Sequence, residues 1–529
     1  MIQDPTLVAA VPRILQRSER QVDIEKLTKT FVDVGILPQV KSRNNQVIHG
    51  RRGTGKTHIL KKLQTDIGGE SNTLVVYLDA RSLGSTSQFS DPSLPIRQRC
   101  ICLFRDFLAE IYNSLLEHVT DVKNRAEGAF EPLHKFGEFI SNPVYAADKQ
   151  EITKREMNLS GSETATTLKL GMPKNSSVQF GDKETNSNES ETTTTATVRK
   201  EDKVIFPELH SHLNDVLKAA GAHMFILFDE WSSLPMDIQP YLAEFIRRGI
   251  LPNPEITIKI ASLEYRSQFV AHLPEGRAFG IELGSDISAS LDVDDYYIYD
   301  KSPKFVTEAF GDILFRHLTS ELPDDYLQSK HGVANASQLQ SKMFTERATF
   351  VELVRAAEGV ARDLINIFTS AFFDAHRRKL ERIDRKAVVE AARQWYEKDK
   401  QKDLAEELKE VLGRIVKEVI GSRKARSFLL PRELEKHPTI QRLFDMRVLH
   451  LMHRGYADKE NPGVRYNIYT LDYGTYVDLK NTSQEPQIDF VEFSEGKDLV
   501  VPFDDKRSIR RIVLNKEILN PIQAPLGLN

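Results

Sequence analysis

A single glycine-rich stretch constrains the fold of this chain more than any other feature. Residues 50–57 read Gly-Arg-Arg-Gly-Thr-Gly-Lys-Thr, which fits the pattern G-x-x-x-x-G-K-[ST], and the apolar pair Val47-Ile48 precedes them. Glycines in this pattern let successive backbone N–H groups face a phosphate, and the following helix adds the positive end of its dipole. The order of strand, loop and helix (58–64) therefore predicts a nucleoside triphosphate site in an α/β fold.

The loop supplies a set of predicted phosphate contacts. Lys56 is expected to reach the β- and γ-phosphates, and the Thr57 hydroxyl is expected to bind Mg²⁺. Backbone N–H groups along the run are expected to make the other contacts. The predicted nucleotide-binding residues of this stretch are Gly50, Arg51, Arg52, Gly53, Thr54, Gly55, Lys56, Thr57 and His58.

A second motif lies at 224–230, which reads Met-Phe-Ile-Leu-Phe-Asp-Glu. A central parallel strand is buried on both faces and so reads as continuously apolar, and open α/β sheets bind ligands at the carboxyl ends of their strands. We expect Asp229 to hold Mg²⁺ through water and Glu230 to polarise the attacking water as general base. The two motifs together predict hydrolysis of a nucleoside triphosphate.

The base is predicted to be adenine. A guanine site would be expected to carry Asn-Lys-x-Asp, and Asn515-Lys516-Glu517-Ile518 departs from that pattern at its fourth position. Small-molecule kinases are also disfavoured, because they usually lack an additional helical domain. ATP and Mg²⁺ are the expected cofactors.

Composition and charge limit the kinds of protein that this chain can be. A chain of 529 residues with a net charge of −4 is expected to form two or three domains and is not globally basic, so any nucleic-acid site must be a local patch. Its two cysteines, Cys100 and Cys102, offer neither a disulfide framework nor a zinc site. The absence of a signal peptide and of a long apolar segment predicts a cytoplasmic address without a membrane partner.

Apolar runs and helical periodicity predict the architecture. Predicted strands span 46–49, 74–79, 224–230, 255–262 and 280–283, with helices at 96–119 and 206–220, which together predict a doubly wound parallel sheet. A Ser/Thr-rich stretch at about 120–203 is predicted to be a flexible insertion, in which 178–180 allows a β-hairpin. The predicted helices that follow span 305–318, 350–358, 361–380 and 384–396, with Asp384 as an N-cap.

The order of these motifs resembles that of the AAA+ ATPases. The helix that begins Gly359-Val360-Ala361-Arg362-Asp363-Leu364 is similar to the lid of the origin-recognition and initiator clade, and the resemblance covers about residues 20–400 without the insertion. It implies that Ser262 is sensor 1 and that Arg362 is sensor 2. It also implies that Arg277, or its competitor Arg266, is an arginine finger for a neighbouring subunit, so a homo-oligomer or a partner ATPase subunit is expected.

The C-terminal part resembles a winged helix, which the initiator ATPases also place after the lid. Helices predicted at 404–420, 431–436 and 438–454 precede a β-hairpin with a strand at 464–469, and double-stranded DNA is the predicted partner. Winged helices also serve as protein-interaction modules. The candidate phosphate contacts are Arg423, Lys424, Arg426, Arg432 and Arg465, with Arg442 and Arg447 nearby.

These expectations divide the chain into five parts. They are a helical lead-in (1–45), an AAA+ core (46–300), an all-α lid (301–400), a winged helix (401–480) and a C-terminal extension (481–529). The first interpretation is an AAA+ switch that assembles on DNA in replication initiation, transposition targeting or antiphage defence. The alternative is a signalling or defence ATPase whose winged helix is an autoinhibitory or protein-interaction module. A protein-remodelling ATPase is disfavoured because no aromatic pore loop is evident, although Phe89 leaves it open.

Overall fold

The structure is a computed structural model. It describes residues 1–14, 23–70, 72–84, 91–121, 126–141, 145–147, 177–181, 193–200, 204–272, 276–287, 289–299, 301–423, 425–457, 463–480 and 512–520. The chain forms two compact units, the first of which comprises Met1–Arg81, Phe225–Pro240 and Thr257–Asn529. The second comprises Ser82–Met224 and Tyr241–Ile256.

The secondary structure alternates between helices and strands up to residue 300 and is mostly helical after it. The strands are β1 (Gln46–His49), β2 (Thr73–Asp79), β3 (Tyr145–Ala147), β4 (Ser177–Gly181), β5 (Thr193–Lys200), β6 (His223–Asp229), β7 (Ile256–Ser262), β8 (Val270–His272), β9 (Ala278–Gly280), β10 (Ala289–Asp292), β11 (Ser427–Pro431), β12 (Leu449–Ala457) and β13 (Arg465–Leu471). The helices are α1 (Pro5–Ala10), α2 (Ile24–Thr30), α3 (Leu37–Val40), α4 (Lys56–Ile67), α5 (Ile96–Thr120), α6 (Phe130–Ser141), α7 (Phe206–Ala220), α8 (Gln239–Gly249), α9 (Pro303–Thr319), α10 (Tyr326–His331), α11 (Ala336–Met343), α12 (Arg347–Ala356), α13 (Ala361–Arg377), α14 (Arg385–Trp395), α15 (Glu406–Val416), α16 (Pro438–Asp445), α17 (Tyr473–Lys480) and α18 (Lys516–Leu519).

A five-stranded parallel sheet confirms the predicted fold class. Its strand order is β10-β1-β7-β6-β2, and β1 pairs in parallel with both β10 and β7. Every residue of β6 and β7 is buried, which explains why these two strands read as apolar runs. The register pairs His49 with Ser262, so the carboxyl ends of β1 and β7 lie side by side.

A buried lysine holds the amino-terminal end of strand β1. Lys259 of β7 donates to the carbonyl oxygens of Ser42 and Asn44 at 2.7 Å and to Oε1 of Gln46 at 2.6 Å. Burial lowers the pKa of Lys259 to about 7. These contacts tie the chain that enters β1 to the sheet, so the phosphate-binding loop starts from a fixed strand.

The predicted fifth strand at 280–283 is wrong. Ala278–Gly280 instead pairs antiparallel with β8, and β10 is the edge strand of the parallel sheet. Gly280 has φ +109° and lies so close to β8 that an added Cβ would be 2.1 Å from the Phe269 carbonyl oxygen. The sequence of β10 (Ala-Ser-Leu-Asp) lacks an apolar run, because an edge strand has only one neighbour to bury it.

The lid region consists of the six helices α9 to α14. Asp384 caps α14 as predicted, because its side chain accepts a hydrogen bond of 2.9 Å from the Ala387 N–H. α10 and α11 are short helices that the periodicity did not predict. Helix α13 begins at Ala361 and carries Arg362 on its first turn.

The C-terminal module comprises residues 404–480, and its described residues form, in order, a helix, a strand, a 3₁₀ turn, a helix, two strands and a final helix, α17. Its antiparallel sheet has the order β11-β13-β12, and a 3₁₀ turn (Arg432–Lys436) precedes α16. The predicted helix over 438–454 is wrong in its second half, because Arg447 adopts φ +59° and the chain continues as β12. β11 was not predicted. Residues 512–514 return to pair with it at Leu429.

The second unit contains α5, α6, α7 and the small antiparallel sheet β3-β5-β4. Its core includes Phe104, whose ring lies 5.7 Å from that of Phe107 and 5.3 Å from that of Phe245. β4 and β5 pair over the stretch that allowed a hairpin, and α6 lies within the predicted insertion. Other parts of the predicted flexible segment lie outside the described residues, namely 122–125, 142–144, 148–176, 182–192 and 201–203, as does Phe89.

Within the described part of the chain, no helix combines the length and the apolar character that crossing a membrane requires.

Candidate nucleotide site

The phosphate-binding loop leaves β1 at His49 and enters α4 at Lys56. Gly53 and Gly55 adopt φ +88° and +101°, a left-handed conformation that favours glycine. A Cβ added to Gly53 would lie 2.7 Å from Cβ of Arg362, so the loop also needs glycine for its contact with α13. The motif therefore occupies the strand–loop–helix setting that the sequence predicts.

Lys56 lies inside this loop, near the predicted carboxylates. Its Nζ donates to the carbonyl oxygens of Gly50 at 2.6 Å and Arg51 at 3.0 Å. Burial lowers the pKa of Lys56, while Asp294, Glu230 and Asp229 act in the opposite direction. The lysine and the two carboxylates of the second motif thus share one edge of the sheet.

The acidic pair at the end of β6 is held in a defined geometry. Asp229 accepts a 2.7 Å hydrogen bond from the Tyr77 hydroxyl and a 2.8 Å hydrogen bond from the Glu230 N–H. Glu230 has φ +55°, an uncommon backbone conformation for a non-glycine residue. Burial and the charge of Asp229 raise the pKa of Glu230, which makes its carboxylate a stronger base.

Ser262, the predicted sensor 1, lies at the tip of β7 between β1 and β6. Its hydroxyl is 2.9 Å from Nδ1 of His49. Burial, Lys56 and Arg454 lower the pKa of His49 to about 4, so the imidazole is neutral at pH 7. The site therefore includes His49, whose only sequence signal is its position directly before the loop.

Arg362, the predicted sensor 2, lies against the phosphate-binding loop. Its backbone N–H donates to the Gly53 carbonyl oxygen at 3.2 Å, and its charge lowers the pKa of Lys56 after larger contributions from burial and three carboxylates. The lid is thus joined to the loop through the residue that the resemblance singles out.

The two candidate finger arginines have different surroundings. Arg277 is exposed beside β9, and the hydrogen bonds and ion pairs of residues 50–57 do not include it. Arg266 donates from Nε to Oδ2 of Asp445 at 2.8 Å. Burial and then Arg266 lower the pKa of Arg52, so Arg266 lies near the loop of its own chain. Because a finger acts on a neighbouring subunit, Arg277 stays a prediction.

The side chain of His58, a predicted nucleotide-binding residue, contacts the lead-in segment of the chain. Its Nε2 is 2.8 Å from the Leu27 carbonyl oxygen, and its ring packs edge-on against Phe31 at 5.2 Å. It lines a small cavity between the lead-in helices, the loop and the lid. The main lining residues of this cavity are Phe31, Ile36, Thr54, Gly55, His58, Tyr297, Ile313 and His317.

The predicted DNA contacts separate into internal and exposed residues. The prediction for Arg426 is wrong, because its guanidinium pairs with Glu358 and its Nε donates to the Leu471 carbonyl oxygen at 2.8 Å. Arg447 is likewise buried, against Asp363 and Asp399. Arg423 is partly exposed and pairs with Glu418 at 3.2 Å. Three further arginines are exposed, namely Arg432, Arg442 and Arg465. Lys424 lies outside the described residues.

The C-terminal module contacts the ATPase core at the 3₁₀ turn Glu264–Arg266. The Tyr265 ring packs edge-on against Phe444 of α16 at 5.0 Å, and its hydroxyl donates to Glu435 at 3.0 Å. Arg454 of β12 pairs with Glu264 at 2.5 Å and with Glu435 at 2.7 Å. The helix that a winged helix would insert into DNA therefore has one face against the core.

The sheet order, the loop with Lys56, the acidic pair and the lid arginine at the loop define the fold of an AAA+ P-loop ATPase. Residues 18–67, which contain the loop, match the protein-family model described as ORC-CDC6-like. The segment that contains the phosphate-binding loop is therefore similar to the ORC-CDC6-like family. No curated protein sequence matches it significantly.

Several solved structures are similar to this chain at low identity. Cdc6p from Pyrobaculum aerophilum is 12% identical over 85% of this chain and 94% of its own, with a TM-score of 0.32. The ORC1 protein of Aeropyrum pernix in complex with DNA is 13% identical over 90% and 96%, with a TM-score of 0.29. A RuvB variant from Thermotoga maritima is 10% identical over 84% and 92%, with a TM-score of 0.32. The family likeness therefore covers residues 18–67, the segment with the phosphate-binding loop.

Proposed function

We propose that this chain is a switch that binds ATP and Mg²⁺, hydrolyses the nucleotide and engages double-stranded DNA. The observation that supports the enzymatic part is the meeting of Lys56, Asp229, Glu230 and Arg362 at one edge of the sheet. Phosphoryl transfer needs cations around the γ-phosphate and a base for the attacking water, and these residues provide both.

Each residue has a part in that reaction. Lys56 would leave the loop carbonyls for the β- and γ-phosphates, and Glu230 would take a proton from the attacking water. Ser262, oriented by His49, would position that water, and Arg362 would make lid closure depend on the γ-phosphate. Arg277 would act on the site of a neighbouring subunit.

The donor set of the site suits magnesium. Thr57 and Asp229 would hold the ion, since hydroxyl and carboxylate oxygens are the ligands that Mg²⁺ prefers. Bound Mg²⁺ would neutralise charge on the phosphate oxygens. Tyr77 and the Glu230 N–H keep the Asp229 carboxylate in one orientation.

The cavity beside the loop would take the base. Phe31 and Tyr297 offer aromatic surface there. Burial lowers the pKa of His58, and burial and then His58 lower the pKa of His317 to about 3, so both imidazoles are neutral at pH 7. A cavity that is lined by aromatic and aliphatic side chains and by neutral histidines fits an uncharged adenine ring better than a second phosphate.

Engagement of DNA would involve the C-terminal module as a winged helix. Its exposed arginines (Arg432, Arg442 and Arg465) are available to phosphates. The packing of α16 on the turn Glu264–Arg266 supports a second candidate function, in which the module is an autoinhibitory or protein-interaction element.

Fluorescence anisotropy of a labelled duplex at low salt tests the DNA-engaging function. We expect tighter binding with ATP and Mg²⁺ than with ADP, and a fall in affinity as salt rises. Equal, weak binding in both states would favour the second function. Lys56→Ala, measured in parallel, separates an effect of bound nucleotide from a direct effect of free ATP on the duplex.

A further inference from the structure

The side chain of Arg51, in the phosphate-binding loop, is held by three separate segments of the chain. Its Nε lies 3.2 Å from Oδ2 of Asp294, and its Nη2 donates to the Glu358 carbonyl oxygen at 2.9 Å. Its Nη1 is hydrogen-bonded to Nδ1 of His450, a residue of β12 in the C-terminal module. Arg51 is buried, although in the bare motif it stands at a position open to any residue.

The backbone of Arg51 forms part of the phosphate cradle. Its N–H donates to Asp294 at 2.9 Å. Its carbonyl oxygen accepts from Nζ of Lys56 at 3.0 Å and from the Thr54 hydroxyl at 2.9 Å. A shift of the Arg51 side chain would therefore move the atoms that orient Lys56.

A buried chain of hydrogen bonds supports His450 from behind. Nε2 of His450 donates to Oδ2 of Asp472 at 2.8 Å, and the same oxygen accepts from Lys400 at 2.5 Å. Burial and Arg51 lower the pKa of His450 to about 3. A neutral imidazole with its proton on Nε2 leaves Nδ1 free to accept from Arg51, so the contact is an ordinary hydrogen bond between matched partners.

The same cluster does not have the character of a metal site. Glu358, His450 and Asp472 lie close enough together to share an ion. Each of them, however, already has a cationic partner from this chain: Arg426, Arg51 and Lys400 respectively. We therefore interpret the cluster as an ionic network that joins the lid, the loop and the C-terminal module.

We propose that His450 is a positioning residue of the nucleotide site, which acts through Arg51 to hold the phosphate-binding loop in shape. The C-terminal module thereby completes the site, and this inference rests on the proposed function of the loop. A preorganised loop binds its ligand more tightly because less ordering accompanies binding. Coupling is reciprocal, so bound nucleotide also stabilises the docked module.

The test is a double-mutant cycle in the full chain, with affinity for a fluorescent ATP analogue and Mg²⁺ as the readout. We expect His450→Ala to weaken binding about tenfold, the loss typical of a buried hydrogen bond to a charged group. In an Arg51→Ala background the same change should cost less than about twofold. His453→Ala is the matched control, since His453 is an exposed histidine of the same strand, and it should bind as the wild type does.

A conservative variant and a second readout separate positioning from folding. His450→Gln keeps one donor and one acceptor and should recover most of the lost affinity, and it replaces His450→Ala in the cycle if the latter does not fold. Nucleotide should slow amide hydrogen exchange in β12 of the wild type and do so less in His450→Ala.

Two results would overturn the inference. One is binding by His450→Ala within twofold of the wild type, and the other is a full, independent loss in the Arg51→Ala background. A wild-type chain that binds no nucleotide, with Lys56→Ala indistinguishable from it, would instead refute the proposed function.

Discussion

The nucleotide site and the C-terminal module hold their charged residues in different ways. At the nucleotide site, Lys56 begins the helix after the loop and the Asp229-Glu230 pair stands at the end of a strand, and the nearby chain fixes their positions. In the module, Arg426 and Arg447 are paired with acids of the lid, Glu358 and Asp363. A motif thus locates its side chains through local backbone, whereas a run of basic residues does not reveal whether its partner is a phosphate or another part of the fold.

The largest effect should come from Lys56→Ala, which removes the cation of the nucleotide site. We expect ATP affinity to fall by more than about 100-fold, because Lys56 is the cation that the motif places at the β- and γ-phosphates. Isothermal titration with ATP and Mg²⁺ measures the loss. Lys62→Ala, on the same helix but paired with Asp66, should keep wild-type affinity. Near-normal binding by Lys56→Ala would contradict the assignment of the loop.

Glu230→Gln should separate binding from turnover. The amide keeps the size of the side chain but cannot accept a proton, so ATP binding should persist while phosphate release slows by about 10²–10⁴-fold. Burial and Asp229 raise the pKa of Glu230, so the acid limb of wild-type activity should lie above the usual range of a glutamate. If Glu230→Gln hydrolyses ATP at the wild-type rate, another group must be the general base.

The sequence predicts the part of the site that is local in the chain. The loop, the carboxyl ends of both buried strands and Arg362 lie together in the structure, and each of them follows from a motif or an apolar run. It does not predict the partners that only tertiary packing supplies. Tyr77 is hydrogen-bonded to Asp229, and His49 is hydrogen-bonded to Ser262. Arg51 has two such partners, Asp294 and His450.

The limits of the fold prediction have the same origin. The edge strand β10 carries no apolar run, and the first residues of β12 satisfy helical spacing as well as they satisfy a strand. Helix α16 ends before β12 because Arg447 has a left-handed backbone and forms a buried ion pair with Asp363. Neither property is visible in the spacing of apolar residues.

Arg426→Glu and Arg432→Glu compare an internal with an exposed arginine of the module. Reversing Arg426 places two carboxylates together at Glu358, so we expect the free energy of unfolding to fall by about 3 kcal/mol or more. Reversing Arg432 should change it by less than about 0.5 kcal/mol. Urea denaturation followed by circular dichroism measures both. If the two variants have the same free energy of unfolding, Arg426 is an exposed residue that is available to DNA.

Arg432→Glu combined with Arg465→Glu tests whether the exposed arginines of the module bind DNA. If the module engages duplex DNA, affinity should fall several-fold and the salt dependence should lose about one unit of slope per phosphate contact. Arg377→Glu, an exposed arginine of the lid, is the matched control and should have no effect. Unchanged DNA binding in the double variant would favour the protein-interaction function.

The last comparison concerns the carboxylates around Arg454, where Asp292 lies 3.8 Å from the guanidinium. Burial, Asp294 and Glu264 raise the pKa of Asp292 to about 7 from an ordinary 3.8. Between about pH 4 and pH 7 the unfolded chain has lost this proton while the folded chain keeps it, so rising pH lowers stability; above pH 7 the loss is complete and constant.

Asp292→Asn has no proton to lose, so its stability relative to the wild type should increase with pH across that window. The slope is at most about 1.4 kcal/mol per pH unit, since a single proton is involved. Urea unfolding of both chains at pH 5, 6 and 8 measures it, and the difference between the chains cancels the titration of groups remote from Asp292. A difference that stays constant would mean that Asp292 ionises at its ordinary pKa, and that Arg454 balances the three carboxylates around it without a bound proton.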